Sequence, residues 1–469
     1  MKLTVKALGL AILVGALSSA SASDEKPEIK GALALQATME KAIEKAEPSI
    51  ACILVARGED ARDFAPEKQD FVPKSYGSGV VIDEQGMVLT NEHVIRGALK
   101  LYVRLPGKSG CFAKLLASDQ RSDLAVLQLQ LDKSMLPLKA IPLGDGGKVR
   151  KGQFVLSVAN PYAAGFEDGS PSTSWGIISN LRRRGPLRPR DAKEPIHEVD
   201  EVKPLHYYGT LIQTDARLNL GCSGGALINL KGELIGLTTA LAALGGSETP
   251  GGFALPIDQG MRRIIDKLKK GQEVEYGFLG VSFPGEELHQ IEGVAIEHVI
   301  VGGPAAKAGM QGGSHIVSID GVRVYNRNDL FLRIGTKLAG TTVRVEWRSP
   351  SGGPSRSADV ALVKAYMPSH KFYAMSKARS IGGLRVDYSS VLLTPKDHVY
   401  PIPAGVVIRE VEPKSAADKA RLQVNKVITS VNGRKVSTPA EFFRAVDSAG
   451  DSVELTLLGR DDKVRLQVK

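Results

Sequence analysis

Three short segments carry the residue types that nucleophilic catalysis needs. Ser223 lies in Gly221-Cys222-Ser223-Gly224-Gly225, His93 closes Thr90-Asn91-Glu92-His93, and Asp123 opens Asp123-Leu124-Ala125 after Ser122. A serine hydroxyl is a poor nucleophile at neutral pH. It needs a base within hydrogen-bond reach and a third group that fixes the base's tautomer. His, Asp and Ser in that chain order form one of the recurring orders of such a triad. His93 is the only histidine before His197, which makes it the sole candidate base from the first part of the chain. Asp123 then accepts from the ring's other nitrogen and stabilises the imidazolium formed in the transition state. The glycines flanking Ser223 suit an oxyanion hole, whose converging N–H groups often require the positive φ that glycine adopts cheaply. Cys222 is the rival nucleophile, but the catalytic position of Gly-x-Ser-Gly-Gly is the third, and its neighbour's side chain points elsewhere. Glu92 is expected to be solvated, on the strand face opposite His93.

The elements that must hold these residues read as short strands. The runs are Ile50 to Ala56, Gly79 to Ile82, Leu99 to Arg104, Leu124 to Leu129, Phe154 to Val158, Gly176 to Ile178, Ala226 to Ile228 and Glu233 to Thr239. Turn residues such as Asp83-Glu84-Gln85-Gly86 separate them, as an all-β barrel or sandwich requires. An amphipathic helix is expected over Lys30 to Lys45, ended by Pro48, and a helical stretch over Asp258 to Lys270. Beyond it the chain repeats itself. Pro304-Ala305-Ala306-Lys307-Ala308-Gly309 with Ile316-Val317-Ser318-Ile319-Asp320-Gly321 is echoed by Ser415-Ala416-Ala417-Asp418-Lys419-Ala420 with Val427-Ile428-Thr429-Ser430-Val431-Asn432-Gly433.

Lys2 and Lys6, the apolar run Ala7 to Leu17 and Ala20-Ser21-Ala22 make a secretory signal over residues 1–22, with an uncleaved anchor as the alternative. No later apolar run approaches the roughly 20 residues of a membrane span, so no transmembrane anchor is expected after cleavage. Cys52, Cys111 and Cys222 are too few for a disulfide-built scaffold and odd in number, which leaves at least one thiol unpaired within the chain. Buried free thiols are expected, with a Cys52 to Cys111 bond as the alternative. The formal charge of +10 is assigned to solubility, since no nucleic-acid motif accompanies it. No metal cluster or nucleotide loop is visible, so no cofactor is expected.

Gly77-Ser78-Gly79-Val80-Val81-Ile82, Leu89-Thr90-Asn91-Glu92-His93-Val94, Ser122 to Leu127 and Ile212-Gln213-Thr214-Asp215 resemble the protease domain of the HtrA (Deg) family of exported, trypsin-like serine proteases. The repeated blocks resemble that family's two PDZ domains. The resemblance covers nearly all of the chain after the signal. It implies a mainly β fold: a chymotrypsin-like double β-barrel protease domain over residues 23–272, with the active site between the barrels. A PDZ domain over 273–366 and a divergent one over 367–469 then follow. It implies a serine endopeptidase of the cell envelope, periplasmic or extracellular, that cleaves unfolded or damaged proteins. The oxyanion donors are then the N–H groups of Gly221 and Ser223, and the oligomer is a trimer. Tyr276-Gly277-Phe278-Leu279-Gly280-Val281 matches the family's carboxylate-binding loop, so Phe278, Leu279, Gly280 and Val281 are expected to hold peptide C-termini. The second block has Gly382-Gly383-Leu384-Arg385-Val386 there, with Arg385 in place of Gly280, and is assigned to packing or assembly. The family usually carries Asn where this chain has Cys222 and Glu92.

Arg217-Leu218-Asn219-Leu220 and Gly236 to Leu241 are expected to wall the primary specificity pocket. The second segment is uncharged, which points to small or medium aliphatic side chains before the scissile bond, with Arg217 binding an acidic one as the alternative. The stretch Arg182 to Gly209 has no core-forming period and reads as a surface insertion, or as the segment by which the resembling family relays PDZ signals. A catalytically silent PDZ scaffold and a holdase chaperone are the two competing functional classes.

Overall fold

A computed structural model describes residues 27–68, 70–184, 204–239, 251–284, 293–367, 370–393, 401–459 and 463–468. The proposed signal and most of the 182–209 insertion lie outside them. Helix α1 (Pro27–Ala46) begins three residues before the expected start. Proline is accepted in a first turn because its missing N–H would have no intrahelical partner there. Strands β1 (Ile50–Ala56), β2 (Tyr76–Val81) and β3 (Met87–Thr90) lead into a single helical turn, α2 (Glu92–Ile95). Then come β4 (Lys100–Arg104), β5 (Cys111–Asp119) and β6 (Leu124–Leu129). These six strands close on themselves through pairing of β5 with both β4 and β6.

A second closed barrel, also six-stranded, comprises β7 (Phe154–Ala159), β8 (Ser172–Arg183), β9 (Leu211–Thr214), β10 (Ala226–Ile228), β11 (Leu234–Thr239) and β12 (Gly252–Pro256). β8 is much longer than the apolar run Gly176 to Ile178. Its polar start, Ser172-Thr173-Ser174, has no strand signature and is extended because it pairs with β7. Helix α3 (Gln259–Lys269) follows, with the Asp258 carboxylate accepting the Met261 N–H as its N-cap. Met261, Ile264, Ile265 and Leu268 bury its apolar face against both barrels, at about 1.5–3 kcal/mol for each large side chain removed from water.

The repeated blocks form three further sheets. The first block comprises β13 (Gly277–Phe278), β14 (Val294–Ala295), α4 (Pro304–Lys307), β15 (His315–Ile319), β16 (Val322–Arg323), α5 (Arg327–Gly335), β17 (Thr342–Arg348), β18 (Arg356–Ala361) and β19 (Val363–Lys364); β13 pairs with β19 alone, and β14 to β18 make a five-stranded sheet. A short strand, β20 (Phe372–Ala374), then leaves the PDZ region and pairs with β5 as a seventh strand of the first barrel's sheet. The second block comprises β21 (Leu384–Tyr388), β22 (Val406–Val411), α6 (Ala416–Lys419), β23 (Val427–Val431), β24 (Arg434–Lys435), α7 (Pro439–Asp447), β25 (Ser452–Leu457) and β26 (Lys463–Gln467). Each block has its own core, around Leu330 and Trp347 in the first and Phe442 and Leu455 in the second.

Candidate active site

β3 ends at Thr90, and α2 turns His93 off the end of the strand. Asp123 meets it from the turn between β5 and β6. The His93 Nδ1 lies 2.9 and 2.8 Å from the two carboxylate oxygens of Asp123, whose Oδ1 also accepts the His93 backbone N–H at 3.0 Å. The Asp123 carbonyl accepts from the Asn91 Nδ2 and the Glu92 N–H, both at 3.1 Å. Asp123 sits at φ 56°, a left-handed conformation that aspartate tolerates better than most residues but that needs support. With Nδ1 committed, Nε2 is the nitrogen available to take a proton. It is buried and has no hydrogen-bond partner among the described residues.

Ser223 comes from the loop between β9 and β10 and is pinned to the first barrel. Its carbonyl accepts the Ser78 N–H at 2.8 Å, and it lies 3.3 Å from the point where a Gly77 Cβ would stand, a point that also touches the Val94 methyls beside His93. The loop glycines are required. At Gly224, φ 87°, a Cβ would stand 2.1 Å from the Ser78 carbonyl oxygen, and at Gly221, φ 94°, one would stand 2.6 Å from the Asn160 carbonyl oxygen. The Leu220 carbonyl accepts the Tyr162 N–H at 2.8 Å. Because C=O and N–H of a trans peptide point in opposite directions, this bond aims the Gly221 N–H away from Tyr162. The arrangement thus brings a serine, a histidine and a carboxylate to the junction of the barrels.

The electrostatics favour a histidine that accepts protons readily. Burial pulls the His93 pKa down, but the charge and hydrogen bond of Asp123 outweigh it and hold it above the ordinary 6.5. Burial would raise the Asp123 carboxyl, yet the His93 charge and hydrogen bond, the His206 charge and the His93 N–H keep it below its usual range. His206, from the turn Leu205–Tyr208, was not singled out by any motif. Burial lowers its pKa, against the pull of Asp123 and with the push of His93, so it stands near the pair as a neutral ring. Only its chain distance of more than 80 residues from either partner hid it.

Two neighbours differ in interest. Glu92 is not solvated: it is 7% exposed, and its carboxylate accepts from Arg96 Nε at 3.1 Å. The reason is that residues 92–95 form a helical turn rather than a strand, which makes Glu92 and Arg96 an i,i+4 pair. Cys222 is buried: its Sγ accepts the Asn219 N–H at 3.4 Å, and burial pushes its thiol pKa up. All three cysteines are free thiols. Burial raises Cys52 to about 12 and Cys111 to about 11.

In the first PDZ block Leu279 and Val281 are buried. The Leu279 and Gly280 carbonyls accept the Ala305 and Ile300 N–H groups, both at 2.9 Å. Gly280 has φ 82° and would place a Cβ 3.2 Å from Pro304. Phe278 packs with Ile300, Leu393 and Ile402, so the second block abuts this loop. In the second block Leu384 and Ile381 exchange N–H and carbonyl bonds at 2.9 Å, closing the matching turn on itself. Arg385 pairs with Glu410 at 3.0 Å, and Arg379 stacks over Phe443 at 4.6 Å while pairing with Asp447 on α7.

Residues 77–237 match a family described as a trypsin-like peptidase domain, and residues 277–361 and 407–459 each match a PDZ domain family. The chain is 31% identical over 418 residues, 87% of this chain and 83% of the relative, to the periplasmic pH-dependent serine endoprotease DegQ of Escherichia coli. It is 27% identical over 481 residues, 91% of this chain and 92% of the relative, to a probable periplasmic serine endoprotease, DegP-like, of Hahella chejuensis. A solved HtrA-type protease, AlgW with a tripeptide, aligns at 27% identity over 70% of this chain and 98% of its own, with a TM-score of 0.49.

Proposed function

The chain belongs to the HtrA family of serine endoproteases, and from that premise we propose that it cleaves unfolded or damaged periplasmic proteins through His93, Asp123 and Ser223. In this reading His93 Nε2 takes the Ser223 Oγ proton as Oγ attacks the scissile carbonyl carbon. The Gly221 and Ser223 N–H groups receive the oxyanion, and protonated His93 then gives its proton to the leaving amine. Water, deprotonated by the same nitrogen, hydrolyses the acyl-serine and restores the enzyme. The observation that carries the assignment is the contact of His93 Nδ1 with both Asp123 oxygens, which leaves Nε2 as the proton acceptor.

Small aliphatic side chains are the proposed residues before the scissile bond. Leu218 packs over Gly252, where a Cβ would stand 2.3 Å from Leu218 Cδ1, so an aliphatic group occupies that wall. Arg217 is exposed and its carbonyl is held by Ser174. Peptide C-termini are proposed to bind Phe278, Leu279, Gly280 and Val281 of the first PDZ block. Gly280→Glu should then weaken binding of a free-acid peptide, and amidation of the peptide should do the same.

A fluorophosphonate, which reacts with activated serines, tests the core of the reading. It should label the wild-type protein and not the Ser223→Ala variant. Equal labelling of both, or cleavage of an unfolded protein by Ser223→Ala, would overturn it.

A further inference from the structure

The turn that presents Asp123 carries a second carboxylate–imidazole pair. Asp119, at the end of β5, is completely buried, and its Oδ1 lies 2.6 Å from His370 Nε2. Its Oδ2 accepts from the Tyr276 hydroxyl at 2.5 Å, the Ser122 N–H at 2.7 Å and the Ser122 Oγ at 2.5 Å. Ser122 is the residue before Asp123. His370 and Tyr276 come from outside the barrels: Tyr276 opens the first PDZ block, and His370 lies between the two blocks. The strand that follows His370 is β20, which pairs Phe372 with Asp119, Tyr373 with Ser118 and Ala374 with Ala117. The Gln120 N–H donates to the Lys371 carbonyl at 3.1 Å. Arg121 in the same turn lies 4.8 Å over the Tyr276 ring and contacts Met367 Sδ.

We infer that Asp119 and His370 are positioning residues for the proposed hydrolysis: seating of residues 370–374 on β5 fixes the 119–123 turn and thereby holds Asp123 against His93. This rests on the assignment of His93 and Asp123 as base and orienting carboxylate. A buried carboxylate is stable only while its donors stay in place, so the His370 donor and the Ser122 donors are fixed relative to one another through one side chain. Asp123 has a left-handed φ that its surroundings must hold, and its nearest covalent neighbour is clamped to Asp119. Burial alone would raise the Asp119 carboxyl. The hydrogen bond and charge of His370, with the hydrogen bonds of Ser122 and Tyr276, hold it below its usual range, so the clamp operates as an anion. The groups facing it are His370, Tyr276 and Ser122, with Arg121 across the Tyr276 ring. Loosening the clamp displaces Asp123, and small misplacements of catalytic groups cost up to about a hundredfold in rate.

His370→Phe tests this, because it keeps a ring beside Tyr276 and Phe372 while removing the donor. In the full chain, kcat for a short peptide should fall by about 10- to 100-fold with KM little changed, and fluorophosphonate labelling should slow in parallel. The midpoint of the acid limb should move to lower pH, since a displaced Asp123 raises the His93 pKa less. His370→Gln, which restores a donor, should recover part of both. In the Ser223→Ala background, where no turnover enters, His370→Phe should speed hydrogen exchange at Gln120 and Tyr373. Unchanged kcat and midpoint in His370→Phe would overturn the inference, as would activity that falls only with the folded fraction at an unaltered midpoint. Should His370→Phe not fold, Tyr276→Phe carries the same expectation in weaker form, and wild-type kcat and midpoint there overturn it. Failure of the wild-type protein to react with fluorophosphonate would instead defeat the functional reading, and the exchange measurement would still judge the clamp.

Discussion

Asp123 with His93 and Asp119 with His370 are the same chemical pair, four residues apart on one turn, and the fold gives them opposite surroundings. The His93 side chain is 16% exposed and its partner 5%, whereas His370 is 5% exposed and Asp119 fully buried. In the first pair both carboxylate oxygens face the histidine, and ring Nε2 has no hydrogen-bond partner among the described residues. In the second the carboxylate is shared among a histidine, a tyrosine and a serine that arrive from three parts of the chain. A carboxylate–imidazole contact is therefore not a catalytic signature by itself. What the second ring nitrogen meets, and whether a nucleophile is delivered beside it, decides the role.

The largest expected effect separates the pairs outright. Ser223→Ala and Asp123→Asn should each lower kcat/KM for an unfolded substrate by about 10⁴-fold or more, with Ser223→Ala leaving the thermal midpoint nearly unchanged. An Asp123→Asn variant with near-wild-type turnover would erase the distinction. Stability should rank the other way. Asp119→Ala strands the His370, Tyr276 and Ser122 donors in the interior and should cost on the order of 3–5 kcal/mol, read from urea unfolding at neutral pH, while Asp123→Ala, whose partner sits at the cleft, should cost less.

The pH profiles sharpen the contrast further. His93 must be neutral to act, and its pKa lies above 6.5, so activity should rise with pH with a midpoint above 6.5. A midpoint below 6.5 in stable protein would count against the Asp123 contact. Asp119 is held below 3.8 in the folded state. Its contribution to stability is therefore complete above the unfolded value of about 3.9 and is lost as pH falls through the folded pKa. Asp119→Asn should flatten that part of the acid-unfolding curve. The smallest effect is expected at Cys222: with its thiol buried and its pKa raised, Cys222→Ala should keep turnover close to wild type and cost about 1 kcal/mol.

Much of the site was legible without coordinates, because its signals are local or ordered along the chain. The runs Ile50 to Ala56, Leu124 to Leu129 and Ala226 to Ile228 are strands with those bounds, since a short continuous apolar run bounded by turn residues marks a strand buried on both faces. The Gly221 to Gly225 pattern declares its conformation, because a Cβ there meets backbone. Glu92 was misread because four residues are too few for a period to distinguish a helical turn from a strand end.

The second pair had no such trace. His370 and Asp119 are 251 residues apart and Tyr276 and Asp119 are 157 apart, and a single polar residue among polar neighbours carries no period to read. Phe372–Ala374 is extended because the end of β5, past its two pairs with β4, offers it a free edge. The sequence by itself singled out the proposed nucleophile, base and carboxylate by residue type and chain order, and the repeated blocks by their echo. The tertiary structure alone decided that Asp119, four residues earlier on the same turn, binds His370 and Tyr276 to the barrel, because the energy of a buried charge depends on partners that only folding brings near.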